Sequence, residues 1–527
     1  MHQASSQPQS TSVFREIPPD QPAEVRSAPS LLATMLEANR VSIDRQTPMF
    51  GWLEKAATAD PAELLAGWLQ LKKGTKPDWK QIRRSLSRDV SKIDQLLTKQ
   101  VNAILHTPEF QELEASWRGL HHLWKSRRAL LAESGLDTAA PKVEIRLLDV
   151  KKRELKKNFD AAGEFDQNEF FKKVYEEEFG MPGGTPYGMV IANYEFSNHP
   201  DDIDLLRQLS EVGAAAFAPV ITAAAPALLG MDSFSTLERT PALEPVFQQV
   251  RHLKWNSLRK RVDTQFLGLT LPRILMRKPW QDDDSASHQF RFIEDTGDGT
   301  RQNFLWGNAA WAFGANAMRA FVQSGWFADI RGAEQGIEGG GLVANLPTFD
   351  YGADSAGVAI RSSVEACISD TLEAELCEYG FIPLCHCKDT EYSVFYSNQS
   401  VHKPEQYTDL EASANARLSS MLQYVLCCSR MAHYIKCRVR DKLGSYASTD
   451  EIQTEINNWL FQYIVASERA SSEIKAKAPL QDASVTVEEV PGKPGEFSLI
   501  MKLLPHYQLD QLTSHMVFRS QRMELKS

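Results

Sequence analysis

Cysteine is scarce in this chain and confined to one region: seven residues, all between Cys367 and Cys437. An odd number gathered in one segment is not the framework of a secreted, disulfide-stapled domain. A reducing cytoplasm is the compartment it fits. An excess of positive charge is also missing. Lys and Arg number 58 against 68 Asp and Glu, a formal net charge of −10, whereas a dedicated nucleic-acid binder carries a basic patch or stripe. The basic run Lys151-Lys152-Arg153 to Lys156-Lys157 is interleaved with Glu154 and Leu155 and reads as a solvated helix face. The polar, proline-containing start carries no signal-peptide pattern. One uncharged run, Val212 to Met231, is long enough for a bilayer, but alanine dominates it and Pro219 and Pro226 interrupt it. Two short buried helices broken at the prolines are expected there, and no insertion into a membrane.

The short motifs of common catalytic sites are absent as well. The chain has no HExxH, GxSxG, Walker A or EF-hand pattern. Glu338-Gly339-Gly340-Gly341-Leu342-Val343 lacks the Gly-Lys-Ser/Thr that a phosphate loop needs, so its glycines mark a tight backbone path. Cys385-His386-Cys387 with Cys427, Cys428, His433 and Cys437 is the one metal-like constellation. Zinc ligands come as pairs a few residues apart. Here Cys385 and Cys387 are separated by a single residue, and the later cysteines fall on a helix, where cysteine acts as a small hydrophobe. Asp282-Asp283-Asp284 reads as a solvated loop, and Glu373 and Glu375 beside Asp370 as a solvated helix face. No metal, cofactor or catalytic residue is expected. The enzymatic alternative is a cytoplasmic thiol or zinc hydrolase built on the cysteine-rich region.

What the chain does contain is long, ordered patterning. Residues 1–47 open with a Ser-, Gln- and Pro-rich stretch that cannot bury enough apolar surface to fold. Within it Leu31, Leu32, Met35 and Leu36 behind the N-cap Ser30 make one apolar helical face, a candidate docking peptide. Residues 48–135 read as helical. Ile93, Leu96, Leu97, Val101 and Ile104 recur at helical spacing, and Phe110, Leu113, Trp117, Leu120, Leu123 and Trp124 do so after Pro108. Residues 136–405 alternate strand and helix: strands at Val143–Leu147, Tyr187–Ala192 and Phe290–Phe292, helices near Phe170–Phe179 and Ile203–Phe217. That alternation gives an α/β core in a mixed, multidomain chain. Residues 406–527 begin with a helix over Leu410–Leu443, then a second over Glu451–Ile464. A β-hairpin follows, with Val485 and Val487 on one arm and Phe497, Leu499, Met501 and Leu503 on the other, and a short strand at Met516–Phe518.

The most aromatic stretch, Asn303 to Gly332, sets rings beside Ala and Gly, which suits close packing. A helix is expected from Ala309 to Val322, stopped by Gly325, with Trp326-Phe327 folding back. Its core motif is Trp306-Gly307-Asn308, then Arg319 and Phe321, then Trp326. These residues resemble the central motif of the large sheath subunit of bacterial type VI secretion systems, the TssC, VipB or EvpB-like family. Thr107–Trp124 and the segments FFKKVYEEEFG, TPYG and GLTLPRILMR follow the order of that family. The resemblance implies a non-enzymatic, contractile tail-sheath-like subunit that pairs with a smaller sheath subunit. Neighbouring heterodimers would stack on a baseplate around a tube of Hcp hexamers and contract to drive it out. A ClpV-type AAA+ unfoldase would recycle the spent sheath by gripping the helix of Leu31, Leu32, Met35 and Leu36. The C-terminal hairpin would exchange strands between subunits on the inner wall.

Overall fold

The computed structural model describes residues 60, 62, 65, 66, 68, 69, 78–133, 143–179, 181, 183–239, 242–282, 290–297, 301, 303–332, 339–353, 359–388, 390–442, 449–467, 470–489, 497–506 and 516–519. The chain separates into two compact units, residues 1–90 and 91–527.

Helix α1 (Trp79–Leu105) runs for 27 residues without burying one of them. Helix α2 (Pro108–Glu133) is two-faced: Ala115 and Leu123 are buried, while Leu113, Trp117 and Trp124 face outward. The next segment is not the strand that the alternation of Val143 to Leu147 suggests. Side-chain contacts hold it at two points. Arg127 Nε donates to the Val143 carbonyl at 2.7 Å, and Arg146 pairs with Glu178 and donates to Thr185 at 3.3 Å. Helix α3 (Lys152–Ala161) buries Leu155 and Phe159. Its lysines are not merely solvated. Lys152 Nζ lies 2.8 Å from Asp202 and donates to the Glu195 carbonyl at 2.7 Å, and Lys156 pairs with Asp201.

The core sheet holds β1 (Val190–Phe196), β2 (Val220–Ala224), β3 (Leu267–Leu271) and, later in the chain, β9 (Ile382–Pro383), in that spatial order and all parallel. Helix α4 (Pro200–Ala216) joins β1 to β2, opening with Pro200 in its first turn and closing on left-handed Phe217. The alanine-rich run Val212–Met231 is therefore not two helices. It is the end of α4, the fully buried strand β2 and a 3₁₀ turn at Pro226–Leu229. A parallel strand covered on both faces reads as an unbroken apolar run, and Val220-Ile221-Thr222 supplies the β-branched residues it prefers. Alternate residues serve two cores. Val220 and Ala224 join the α4 side, and Ile221 joins the opposite side with Ile274 of β4 (Ile274–Leu275), Leu305 just ahead of β5 (Trp306–Gly307), and helix α5 (Ala310–Ser324). Strand β1 begins three residues later than expected, and Phe290–Phe292 forms no strand among the described residues.

Beyond α5 come short strands: β6 (Leu342–Val343), the antiparallel pair β7 (Phe349–Ala353) and β8 (Ala359–Ser362), then helix α6 (Asp370–Glu378) before β9. Strands β10 (Cys385–His386) and β11 (Ser393–Val394) complete a small sheet with β6. The expected single helix over Leu410–Leu443 is two, α7 (Leu410–Ser419) and α8 (Leu422–Lys442). Backbone pairing explains the break: Ser400 N donates to Ser420 O and Leu422 N donates to Asn398 O, both at 2.8 Å. Those groups are then unavailable to the helical ladder. Helix α9 (Thr449–Leu460) follows. A third core forms where α8 and α9 meet the C-terminal strands, through Val425, Met431, Ile435 and Ile456.

Helix α8 carries two titratable groups deep in this packing. Lys436 sits with its ammonium 4.4 Å from the Phe217 ring and 5.5 Å from that of Phe179, and burial lowers its pKa to about 8. His433 lies 2.9 Å through Nε2 from the Ala216 carbonyl, and burial holds its pKa down to about 3. A histidine kept neutral in the fold stabilises fully above its unfolded value of about 6.5, and that contribution drains as pH falls, because the unfolded chain takes the proton first. Going from pH 7 to pH 5 should cost about 2 kcal/mol through His433, at about 1.4 kcal/mol per pH unit. Urea midpoints of the wild type and of His433→Gln across that range measure it. An unchanged slope in the variant would remove His433 as the cause.

Candidate assembly surfaces

The C-terminal sheet is antiparallel, with β12 (Leu480–Glu489), β13 (Phe497–Pro505) and β14 (Met516–Arg519) in that order. The register sets Ala483 opposite Leu503, Val485 opposite Met501, Val487 opposite Leu499, and Glu489 opposite Phe497. Alternation along each strand turns Val485, Val487, Leu499, Met501 and Leu503 inward onto the α8–α9 core, while Asp482, Ser484, Thr486, Glu488 and Lys502 face solvent. Val485, Val487, Leu499, Met501 and Leu503, singled out from the sequence, are therefore core of the chain's own fold. What they leave for another chain is backbone at the sheet edge.

The central motif is a junction between elements. Trp306 donates its indole N–H to the Arg301 carbonyl at 2.7 Å, and Gly307 pairs with Ile274. A Cβ at Gly307 would come within 2.5 Å of Met276, so only glycine fits without displacing that side chain. Asn308 is buried; its Oδ1 accepts from Ala310 N at 2.8 Å at the head of α5, and its Nδ2 donates to the Tyr194 carbonyl of β1 at 3.2 Å. Arg319 donates to the carbonyls of Leu342, at 2.7 Å, and of Gly340. The three-glycine run is thus a close backbone crossing, with Gly340 at φ +62° and a Cβ at Gly341 only 2.1 Å from the Phe395 carbonyl oxygen. Gly325 ends α5 at φ +80°, Phe327 stacks back on Phe321 at 5.2 Å, and Trp326 meets Tyr434 and Tyr463 edge-on. Tyr434, Trp459, Tyr463 and Trp326 contact one another in a closed ring with centroids 5.0 to 6.1 Å apart. The four rings line a cavity of about 380 Å³, and Arg438 and Lys477 on the same wall make it unsuited to a ligand cation.

Two further features join or flank this core. Arg277 and Glu294 are 6% and 5% exposed and form a forked pair, one arm at 3.0 Å. Arg277 Nε also donates to Glu114 of α2 at 2.8 Å, and Glu294 lies 3.4 Å from His106. Sequence reasoning missed this cluster; its one signal was a lone arginine closing the apolar run Ile274-Leu275-Met276. The second feature is apolar and outward. Ile93 and Leu96 on α1 and Phe110, Leu113, Trp117 and Trp124 on α2 are exposed, Leu96 to 62% and Trp117 to 65%. Large exposed apolar stripes of this kind mark surfaces that another chain covers.

Two family models match the chain. One is described as EvpB/VC_A0108, tail sheath N-terminal domain, over residues 87–402, and the other as EvpB/VC_A0108, tail sheath gpW/gp25-like domain, over residues 411–521. The type VI secretion system sheath protein TssC1 of Pseudomonas aeruginosa is 39% identical over 433 residues, 82% of this chain and 84% of that protein. The chain belongs to the type VI secretion sheath family. Among solved structures, a chain of the anti-feeding prophage baseplate aligns at 9% identity and a TM-score of 0.29, covering 60% of this chain and 66% of that one.

Sheath family membership makes this a structural protein and not an enzyme. The cysteine-rich region agrees with that. Cys385, Cys427 and Cys428 are buried, and burial pushes their thiols up, Cys427 to about 12. A reactive thiol needs the opposite shift. Among the described residues no three His, Cys, Asp or Glu side chains converge as metal ligands, and no helix is long and apolar enough to cross a membrane. The sheath-family docking helix expected at Leu31, Leu32, Met35 and Leu36 lies outside the described residues.

Proposed function

We propose that this chain is the large subunit of a contractile sheath that pairs with a smaller sheath subunit in the cytoplasm. The heterodimers polymerise from a baseplate around an Hcp tube, and contraction of the lattice propels that tube. The observation that carries the pairing is the outward apolar stripe of α1 and α2, on helices that bury little or none of it within their own chain. In this reading residues 48–135 are the partner-binding region, 136–405 the core and 406–527 the inner wall. Heterologous contacts that do not close into a ring build such a tube. Contraction energy resides in two alternative packings of the lattice, so no nucleotide is consumed by this chain.

Co-expression with the small subunit tests the pairing. The wild-type proteins should co-purify and form tubules by electron microscopy. Leu96→Asp combined with Trp117→Asp places two charges in the stripe and should abolish co-purification, a loss of at least about tenfold in affinity since burying an unpaired charge is costly. Unimpaired co-purification would place the partner elsewhere. The recycling role is separable. Leu32→Asp with Leu36→Asp should leave tubules intact and remove binding of a ClpV-type unfoldase; loss of tubules would make that segment structural.

A further inference from the structure

The cavity of about 380 Å³ lies where the end of α5 meets α8 and α9. Trp326, Tyr434, Trp459 and Tyr463 form most of its wall, and Phe321 of α5 adds a fifth ring. The wall reaches solvent at Tyr463, which is half-buried, and at Arg438, which is exposed. Arg438 holds its guanidinium 4.8 Å from the centre of the Trp459 ring. A guanidinium seated over a ring still offers its N–H edge to a carboxylate. Arg430 stands two turns earlier on the same side of α8, 4.6 Å from the Tyr434 ring and 5.5 Å from that of Phe321. Neither arginine has a carboxylate partner among the described residues, although Arg146, Arg207, Arg273 and Arg277 all do. The 3₁₀ turn Phe461–Tyr463 and helix α10 (Ser472–Lys477) supply Tyr463 and Lys477 to the wall. They also carry Phe461 and Ile474, both more than half exposed.

We propose that this cavity recognises an acidic–aromatic peptide: one aromatic side chain of another protein chain fills the space among the five rings, and an Asp or Glu beside it pairs with Arg438. The volume stands at the low end of the range for ligand pockets, about 300–1,000 Å³, which suits a single large side chain. A ring entering there meets neighbours placed for edge-to-face and offset contacts. Charge selects what accompanies the ring, since the two arginines favour a carboxylate. A nucleotide fits less well. Phosphate sites are built on helix N-termini, whereas α5 brings its carbonyl end to this cavity at Ser324 and Gly325. Phe461 and Ile474 give the flanking residues of a peptide apolar surface to cover, which a small molecule would leave bare. The site draws on neither the α1–α2 stripe nor the backbone of the C-terminal sheet, so it does not depend on how those surfaces pair.

Saturation-transfer NMR and calorimetry on the full-length chain, co-purified with its small subunit, test this with a capped pentapeptide of sequence Gly-Glu-Phe-Asp-Leu. The phenylalanine ring protons should receive the strongest transfer, and alanine in place of that phenylalanine should abolish it. Replacing both acids of the peptide by their amides should weaken binding about tenfold, the effect of losing one hydrogen bond to a charged group. Arg438→Gln changes an exposed side chain and leaves the fold intact. It should weaken the acidic peptide by the same factor and leave the amide peptide unaffected. An equal loss for both peptides, or a loss for neither, would overturn the pairing with Arg438. No binding of the acidic pentapeptide to the wild type would overturn the proposal as a whole. Binding of adenosine monophosphate that Arg438→Gln removes, with the pentapeptide inactive, would overturn it too and make the cavity a nucleotide site. Failure to co-purify would count against the sheath pairing alone, and the same titrations would then be made on the chain by itself.

Discussion

Arg277→Ala is expected to destabilise the fold by about 3–5 kcal/mol, the usual effect of removing one member of a buried ion pair. The reason lies in what stays behind. Glu294 is almost fully buried and would keep only Trp280 N, at 3.0 Å, and His106, at 3.4 Å. Glu114 would lose its 2.8 Å bond from Arg277 and fall back on Arg118, at 2.7 Å on the same helix. Arg277→Lys should recover only part of the loss, because an ammonium cannot fork between two carboxylates as a guanidinium does. Chemical denaturation of the co-purified heterodimer measures both. A loss below about 1 kcal/mol for the alanine variant would mean that the site behaves as a hydrated surface pair. The effect should reach α2, since Glu114 is the end of the cluster that belongs to that helix.

Leu499→Pro is expected to abolish tubule formation while the heterodimer stays soluble. Leu499 is buried opposite Val487, two pairs in from the turn end of the β12–β13 ladder. Proline removes a backbone donor and bends the strand, so β13 no longer presents a straight edge. Leu499→Ala separates this from lost packing. Its cavity should cost about 2–5 kcal/mol, yet the ladder survives and tubules should still form. Normal contractile tubules from the proline variant would assign the hairpin to the subunit's own fold alone.

The elements legible in the sequence were those whose pattern is local. Alternation at Val485 and Val487 against Leu499, Met501 and Leu503 gave the hairpin, and Gly325 gave the end of α5, because both depend on spacing and backbone freedom within a few residues. The misread ones depend on what lies across the chain. Val220–Ala224 became a central strand because two parallel neighbours and two cores enclose it, and an apolar run alone does not distinguish helix from strand there. The single helix over Leu410–Leu443 broke because residues 398–400 capture backbone groups at 420–422. Val143–Leu147 alternates with no strand beside it among the described residues, and Val143 and Ile145 pack on the core while the Val143 carbonyl accepts from Arg127. For the assembly surfaces, the helical stripes were visible as periodicity. The bonds that Gln453 and Asn457 of α9 make to the backbone of β12 were not, since two polar residues on an amphipathic helix look like its solvent face until the neighbouring strand is in place.

The seam between α2 and α5 has a mechanical meaning. A Cβ at Gly119 would approach the Trp311 indole to 2.4 Å, so the two helices meet without slack. Asn193 on β1 receives the Trp311 indole N–H at 3.1 Å and donates to Ser116 of α2 at 2.8 Å. A force applied to α2 therefore has a stiff route of two hydrogen bonds and one ring into the central sheet, with no flexible loop along the way. A pull delivered to α2 would move helix and sheet together as one piece, and the travel it produces would have to be taken up where chains meet.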